Sequence, residues 1–202
     1  MARYTGPKNR LARKVGADLS MKTNILKLNK RLNVRPGLHG KKIRRKRSEY
    51  GEQLTEKQKV KHLYGVMEKQ FRKLYEKASK TPASTGKVLL ILLERRLDNA
   101  VYRLGFAPTR AAARQMVTHG HVKVNGEKVS IPSYSVNMDE VVTLSATAMK
   151  IPAVAELLKE KDKAVPKWLE RTAAAGKIAK FPEREDIDAG INEQMIVEFY
   201  SR

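Results

Sequence analysis

Arg110 and Arg114 stand four residues apart, so on a helix both guanidinium groups project from one side, one turn apart. Thr109 precedes them as an N-cap residue, and the free backbone N–H groups of a helix start can hold a phosphate. The same set also reads as a solvated arginine pair behind an ordinary cap. A second cluster is denser: Lys41, Lys42, Arg44, Arg45, Lys46 and Arg47 place six cations in seven positions. Such a run is often a solvated tail, but here it has company in Arg3, Lys8, Arg10, Arg13, Lys14, Arg35 and His39 upstream. A third cluster, His119-Gly120-His121 with Lys123 beyond it, suits phosphate or base contacts. Metal binding needs further ligands, and none lies nearby in the sequence. His121 fits a nucleic-acid contact or a strand cap equally, and Gly120 fits a backbone turn. The chemistry on offer throughout is multipoint binding of a polyanion.

Catalytic patterns fail one by one. The four histidines are scattered, and no Ser/His/Asp set is readable. Gly86-Lys87 lacks the upstream glycine of a phosphate-binding loop. Arg96-Leu97-Asp98 resembles the Arg-Leu-Asp motif of pseudouridine synthases, but Asn99-Ala100-Val101 does not continue it. Asp98 falls inside an amphipathic helical pattern and is expected to pair with Arg95 or Arg103. A modifying enzyme that docks on RNA would also need a catalytic domain, for which the chain has no room. No enzyme activity and no cofactor are expected.

The bulk composition agrees with a binding role. The 202 residues carry a net charge of +21, with 41% hydrophobic residues to build a core. Self-repulsion of that size favours a polyanionic partner. Membrane is the poorer candidate, because the longest apolar run, Val88 to Leu93, is far short of the roughly 18 residues of a spanning helix. The amino terminus lacks the apolar core of a signal peptide, and the absence of cysteine removes disulfides and thiolate metal sites. A reduced, cytoplasmic compartment is expected. The charge is uneven: residues 1–50 hold +14, 51–90 hold +5, 91–150 hold +3 and 151–202 hold −1.

The elements that must position these groups follow from periodicity. Residues 1–50, with turn signals at Gly6-Pro7, Pro36-Gly37 and His39-Gly40, read as a basic arm too poor in apolar residues for its own core. Thr55 to Lys80 reads as one long helix, about 40 Å at 1.5 Å per residue, with a Thr55/Gln58 capping box. Its stripe is Val60, Leu63, Met67, Phe71, Leu74 and Ala78, with Arg72 and Lys73 beside it. Phe71 and Tyr75 fit the core better than base stacking, since aromatics are only 6% of the chain. A second helix is expected from Ser84 or Thr85 to Leu104, closed by Gly105, and a short one from Arg110 to His119, closed by Gly120. The period then changes to two: 121–131 reads as a hairpin turning at Asn125-Gly126, followed by a strand Val141–Leu144. The tail reads as a helix Ala153–Lys163, another over Lys167–Ala175, an acidic loop over 183–188, and a strand Gln194–Tyr200. The fold class is α+β. Residues 51–90, completed by 150–202, make a helical domain, and 91–150 make a small inserted module.

That module carries a resemblance. Leu93-Glu94-Arg95-Arg96-Leu97-Asp98, Tyr102-Arg103-Leu104-Gly105, Thr109-Arg110-Ala111-Ala112-Ala113-Arg114-Gln115 and His119-Gly120-His121-Val122-Lys123-Val124-Asn125-Gly126 together resemble a small RNA-binding module. It is named after bacterial small-subunit ribosomal protein four. The flanks are similar to that ribosomal family itself: Arg3-Tyr4-Thr5-Gly6-Pro7, Pro36-Gly37-Leu38-His39-Gly40, Ser48-Glu49-Tyr50-Gly51, Pro182-Glu183-Arg184-Glu185-Asp186-Ile187 and Ile196-Val197-Glu198-Phe199-Tyr200-Ser201-Arg202.

The resemblance spans essentially the whole chain. It implies a protein that is monomeric when free, binds 16S ribosomal RNA early in assembly of the small subunit's 5′ domain, and lines the channel by which messenger RNA enters. Ribosomal proteins three and five are its implied neighbours, translational accuracy its implied concern, and repression of its own messenger RNA a further implied role. Some members hold zinc through cysteines in the arm. This chain has no such cysteines, so the arm is expected to be ordered by RNA instead. On this reading the arm cations, Arg72, Lys73, Thr109, Arg110, Arg114, His119, His121 and Lys123 make the RNA contacts, through phosphates and 2′-hydroxyls rather than through the narrow A-form major groove.

Overall fold

The computed structural model of the chain describes residues 3–21, 25–40, 47–160, 165–187 and 190–202. In chain order the elements are α1 (Lys8–Val15), α2 (Ile25–Asn29), α3 (Glu49–Leu63), α4 (Glu68–Ser79), α5 (Thr85–Glu94), α6 (Leu97–Arg103) and α7 (Arg110–Thr118). Strands β1 (Val122–Val124), β2 (Glu127–Lys128) and β3 (Val141–Leu144) follow, then α8 (Ala146–Met149) and α9 (Pro152–Lys159). Strands β4 (Leu169–Thr172) and β5 (Ala175–Ile178), a 3-10 turn Arg184–Asp186 and α10 (Glu193–Ser201) complete it. The class is α+β, as the patterning indicates. Among the described residues no helix is long and apolar enough to cross a membrane.

Two units divide the chain: Met1–Val88 with Gly190–Arg202, and Leu89–Ala189. This differs from the expected division. Residues 150–189 do not complete the helical part, because β5 pairs with β3 and β4 pairs with β5, antiparallel, and so extend the module's sheet. The sheet order is β2-β1-β3-β5-β4. Only the last segment, 190–202, returns to the helical unit.

In the helical unit the expected single rod is two helices. Ser48, not Thr55, caps α3, its hydroxyl accepting from the Gly51 N–H at 3.3 Å. The Thr55 hydroxyl instead donates back to the Gly51 carbonyl inside the helix. The break falls at Gly65, whose φ of +62° closes α3 with bonds from Gly65 N–H to His62 O and from Val66 N–H to Lys61 O. Only glycine takes that conformation cheaply, which makes Gly65 the signal that the unbroken stripe hides. Met67, placed in the stripe by spacing, is 42% exposed, while Val60, Phe71 and Ala78 are fully buried.

Helix α10 packs on α3, and its aromatic end locks the unit. Tyr50 meets Phe199 at 5.6 Å, and Tyr200 stacks on Phe71 at 6.2 Å and on Tyr75 at 4.5 Å. The expected strand Gln194–Tyr200 is therefore a helix. Asn192 caps it by accepting from the Gln194 and Met195 N–H groups, and Ile196 and Tyr200 fall four apart against the core.

Nor is the arm core-free. Leu11 and Ala12 of α1 are buried, α1 contacts α3, and Leu19 and Leu28 are buried too. Arg13 pins the following segment, its guanidinium donating to the Val34 and Arg35 carbonyls at 2.8 and 3.1 Å. The arm's apolar residues are few, but those of α1 act as anchors on an existing helix.

In the module the expected helix from Thr85 to Leu104 breaks at Arg96, which is extended (φ −69°, ψ 138°) and bridges to Ser135. The break is only the two residues Arg95 and Arg96, and no glycine or proline marks it. The short helix, the Asn125-Gly126 turn and the strand Val141–Leu144 form where the pattern places them. The expected helix Lys167–Ala175 is instead the β4–β5 hairpin. Its alanines favour a helix, but pairing of β5 with β3 overrides that weak preference. Helix α9 runs Pro152–Lys159, and the rest of the expected Ala153–Lys163 helix reaches outside the described residues.

The module's core joins Leu97, Val101, Leu104, Val117, Val142 and Trp168. Leu104 rests against Gly176 on strand β5, where a Cβ would collide with both Leu104 methyls. Gly176→Ala is expected to cost about 1–3 kcal/mol by overpacking, read as a lower thermal midpoint.

Candidate RNA interface

The module's charged residues first organise one another. The Glu94 carboxylate, fully buried, takes a two-point ion pair from Arg103 (2.7 and 3.1 Å) and a hydrogen bond from Asn99 Nδ2. Asn99 passes the order on: its Oδ1 accepts from Arg110 Nε at 2.9 Å, and the Arg110 guanidinium lies over the Tyr102 ring at 4.6 Å. Arg110 is thus aimed by three residues of α5 and α6 and stays half-buried.

Asp98 pairs with neither Arg95 nor Arg103. Arg96 holds it at two points (2.7 and 3.1 Å), and Arg114 approaches at 3.5 Å. Arg103 is committed to Glu94, and Arg95 turns to the Val136 carbonyl and Asn137 Oδ1. The extended backbone at Arg96 makes the short-range Arg96–Asp98 pair possible.

This arrangement separates the two arginines that spacing placed together. Arg114 is 8% exposed and paired inward, so it frames the module rather than presenting a free guanidinium. Thr109 is also largely buried, and its hydroxyl accepts from the Ala112 N–H at 3.2 Å, capping α7 itself. Arg110 alone of the three retains a partly open face.

The corner after α7 is more open. His119 is exposed and His121 half-buried, with ring centroids 6.1 Å apart. Lys123 points outward between the buried Val122 and Val124. Directly opposite it, in register, stands Lys128, whose stem lies over Gly120. Like charges directly opposite on a two-stranded ladder are destabilising unless an anion joins them. Lys128 is a residue the sequence reading missed. The two-residue turn at Asn125-Gly126 already pairs 124 with 127 and 123 with 128, so the signal was there.

In the helical unit Arg72 bonds Glu76 at 3.2 Å and both are exposed, while Lys73 is exposed beside them. Arg3, Arg10, Lys14, Arg35 and His39 are exposed, Lys8 and Arg47 half-buried. Lys41, Lys42, Arg44, Arg45 and Lys46 lie outside the described residues.

A titratable cluster lies where α3 meets α4. Burial, then the charges of Lys61 and Lys14, push the His62 imidazole down from 6.5 to about 4. Burial works to raise the Glu68 carboxyl, but hydrogen bonds from Lys57, Lys61 and Tyr200 outweigh it and hold it at about 2 rather than 4.5. Both signs point the same way. The unfolded chain protonates His62 first as pH falls, so stability is lost between pH 6.5 and about 4. Glu68 adds a second loss between pH 4.5 and about 2. The urea midpoint is expected to fall as pH drops from 7 to 5, and His62→Gln to flatten that upper part of the profile. An unchanged profile in the variant would place the acid sensitivity elsewhere.

Residues 95–142, which carry α6, α7, the β1–β2 hairpin, the Arg96–Asp98–Arg114 pairing and the histidine–lysine corner, match the S4 domain family. Residues 3–94 match the Ribosomal protein S4/S9 N-terminal domain. The chain is 50% identical over its full length, and over the relative's full length, to small ribosomal subunit protein uS4 of Parabacteroides distasonis. The corresponding proteins of Roseiflexus castenholzii and Chloroflexus aurantiacus are 50% and 51% identical, each with both chains fully covered. The chain belongs to the small ribosomal subunit protein uS4 family.

Proposed function

We propose that this chain is a non-enzymatic structural constituent of the small ribosomal subunit that binds 16S ribosomal RNA. The observation that carries the reading is full-length similarity at about half identity to relatives of that name. The charge layout supports it: acids of the module core hold its arginines in place, while Lys123 and Lys128 oppose each other outward. A frame of fixed donors suits RNA recognised by shape, phosphate and 2′-hydroxyl.

In this role the chain joins the RNA early and nucleates the 5′ domain. It works in the cytoplasm, as a monomer before assembly. It helps line the channel by which messenger RNA enters, beside ribosomal proteins three and five, and so bears on translational accuracy. The same surface would accept a messenger RNA that mimics the junction, which makes repression of its own message compatible. These finer roles rest on the family resemblance. The RNA-contact set is the arm cations with Arg72, Lys73, Arg110, His119, His121 and Lys123; Lys128 joins it, and Arg114 and Thr109 serve by positioning.

Hydroxyl-radical footprinting of a full 16S transcript with the intact chain tests this. Protection confined to a contiguous set of helices in the 5′ domain is expected. Protection spread evenly along the transcript would contradict the reading.

A further inference from the structure

Helix α4, with its C-cap residue Lys80, carries a row of lysines on the side opposite its buried residues. At 100° per residue, Lys69, Lys73, Lys77 and Lys80 fall within an arc of about 80°, facing away from Phe71 and Ala78. All four are exposed, and no ion pair is described for any of them. The helix's one mid-length acid, Glu76, is taken by Arg72. Neighbours at i,i+3 and i,i+4 of like charge weaken a helix, and this row repeats the arrangement three times. Elsewhere acids answer such charges, as Glu68 of α4 does for Lys57 and Lys61 of α3. A stripe roughly 16 Å long, with a cation at each turn, matches a ligand whose negative charges also repeat in a line.

We propose that the outer face of α4 is a ridge on which Lys69, Lys73, Lys77 and Lys80 track successive phosphates along one strand of helical RNA. The ridge rests on the ribosomal-RNA reading above and adds three cations, Lys69, Lys77 and Lys80, that sequence spacing did not single out. Its contact is with backbone only, because lysine on a rigid helix supplies point charge without base readout.

The test is the salt dependence of binding to the 16S transcript, using the intact chain and K69Q/K73Q/K77Q/K80Q. Glutamine keeps helix propensity, and matched circular dichroism melts check the fold. A control removes the same charge from exposed lysines elsewhere, as K87Q/K150Q/K159Q/K167Q. The ridge variant is expected to lower the slope of log K against log salt by about 3, and the control by less than 1. The ridge variant should also lose one contiguous footprint. Equal losses in the two variants would mean generic polycation binding and overturn the ridge. An unchanged slope in the ridge variant, with the parent chain binding saturably, would overturn it and leave the ribosomal-RNA reading standing. Failure of the parent chain to bind would overturn that reading and the ridge with it.

Discussion

Asp98→Ala is expected to destabilise the module by about 3–5 kcal/mol, because it leaves buried cationic groups without their counter-charge. Asp98, Arg96 and Arg114 expose only 5–10% of their side chains, so water cannot take the carboxylate's place. The loss also loosens the extended residue Arg96, which joins α5 to α6 and seats Leu97 through its N–H bond to the Tyr134 carbonyl. The only tryptophan, Trp168, is fully buried in the same core and supplies a local signal. Urea titration followed by its fluorescence should show a large fall in midpoint. Asp98→Asn, which keeps one acceptor for Arg96 but no charge, should fall between. A midpoint unmoved by Asp98→Ala would mean that the buried pair contributes nothing and that Arg114 is free to turn outward.

The second large effect lies in the arm. Replacing Lys41, Lys42, Arg44, Arg45, Lys46 and Arg47 by glutamine is expected to lower the salt slope of RNA binding by roughly 4–5, at 0.7–0.9 per lost phosphate contact. At about 0.15 M salt that amounts to a loss of affinity of at least tens-fold. The substitution leaves α1 and the Ser48 cap in place, so the helical unit keeps its anchors at Leu11 and Ala12. Circular dichroism should therefore be unchanged. A slope that moves by less than one would make the run a solvated linker rather than a contact.

Much of this was legible where a local signal coincided with the tertiary outcome. Gly105 and Gly120 close helices, Asn125-Gly126 turns a hairpin, and Val141–Leu144 alternates as a half-buried strand. The misreadings share a cause. A hydrophobic stripe reports which side of a chain is buried, but not whether the backbone runs straight, so breaks at Gly65 and Arg96 passed unseen. The β4–β5 hairpin has weak local preference and exists because β3 offers it an edge. At the site, spacing placed Arg110 and Arg114 on one side of α7 correctly but said nothing of the acids opposite. Asp98 comes from a neighbouring helix and turns Arg114 inward. Burial of a charge depends on partners distant in the fold, and one-dimensional spacing does not show them.

The central claim, that the chain recognises a particular folded ribosomal RNA, is tested most directly by competition. The intact chain is titrated onto a 16S 5′-domain fragment with and without a large excess of tRNA. Saturable one-to-one binding that persists in the competitor is the expected result. Binding that disappears in proportion to added tRNA would reduce the chain to a polycation and contradict the account.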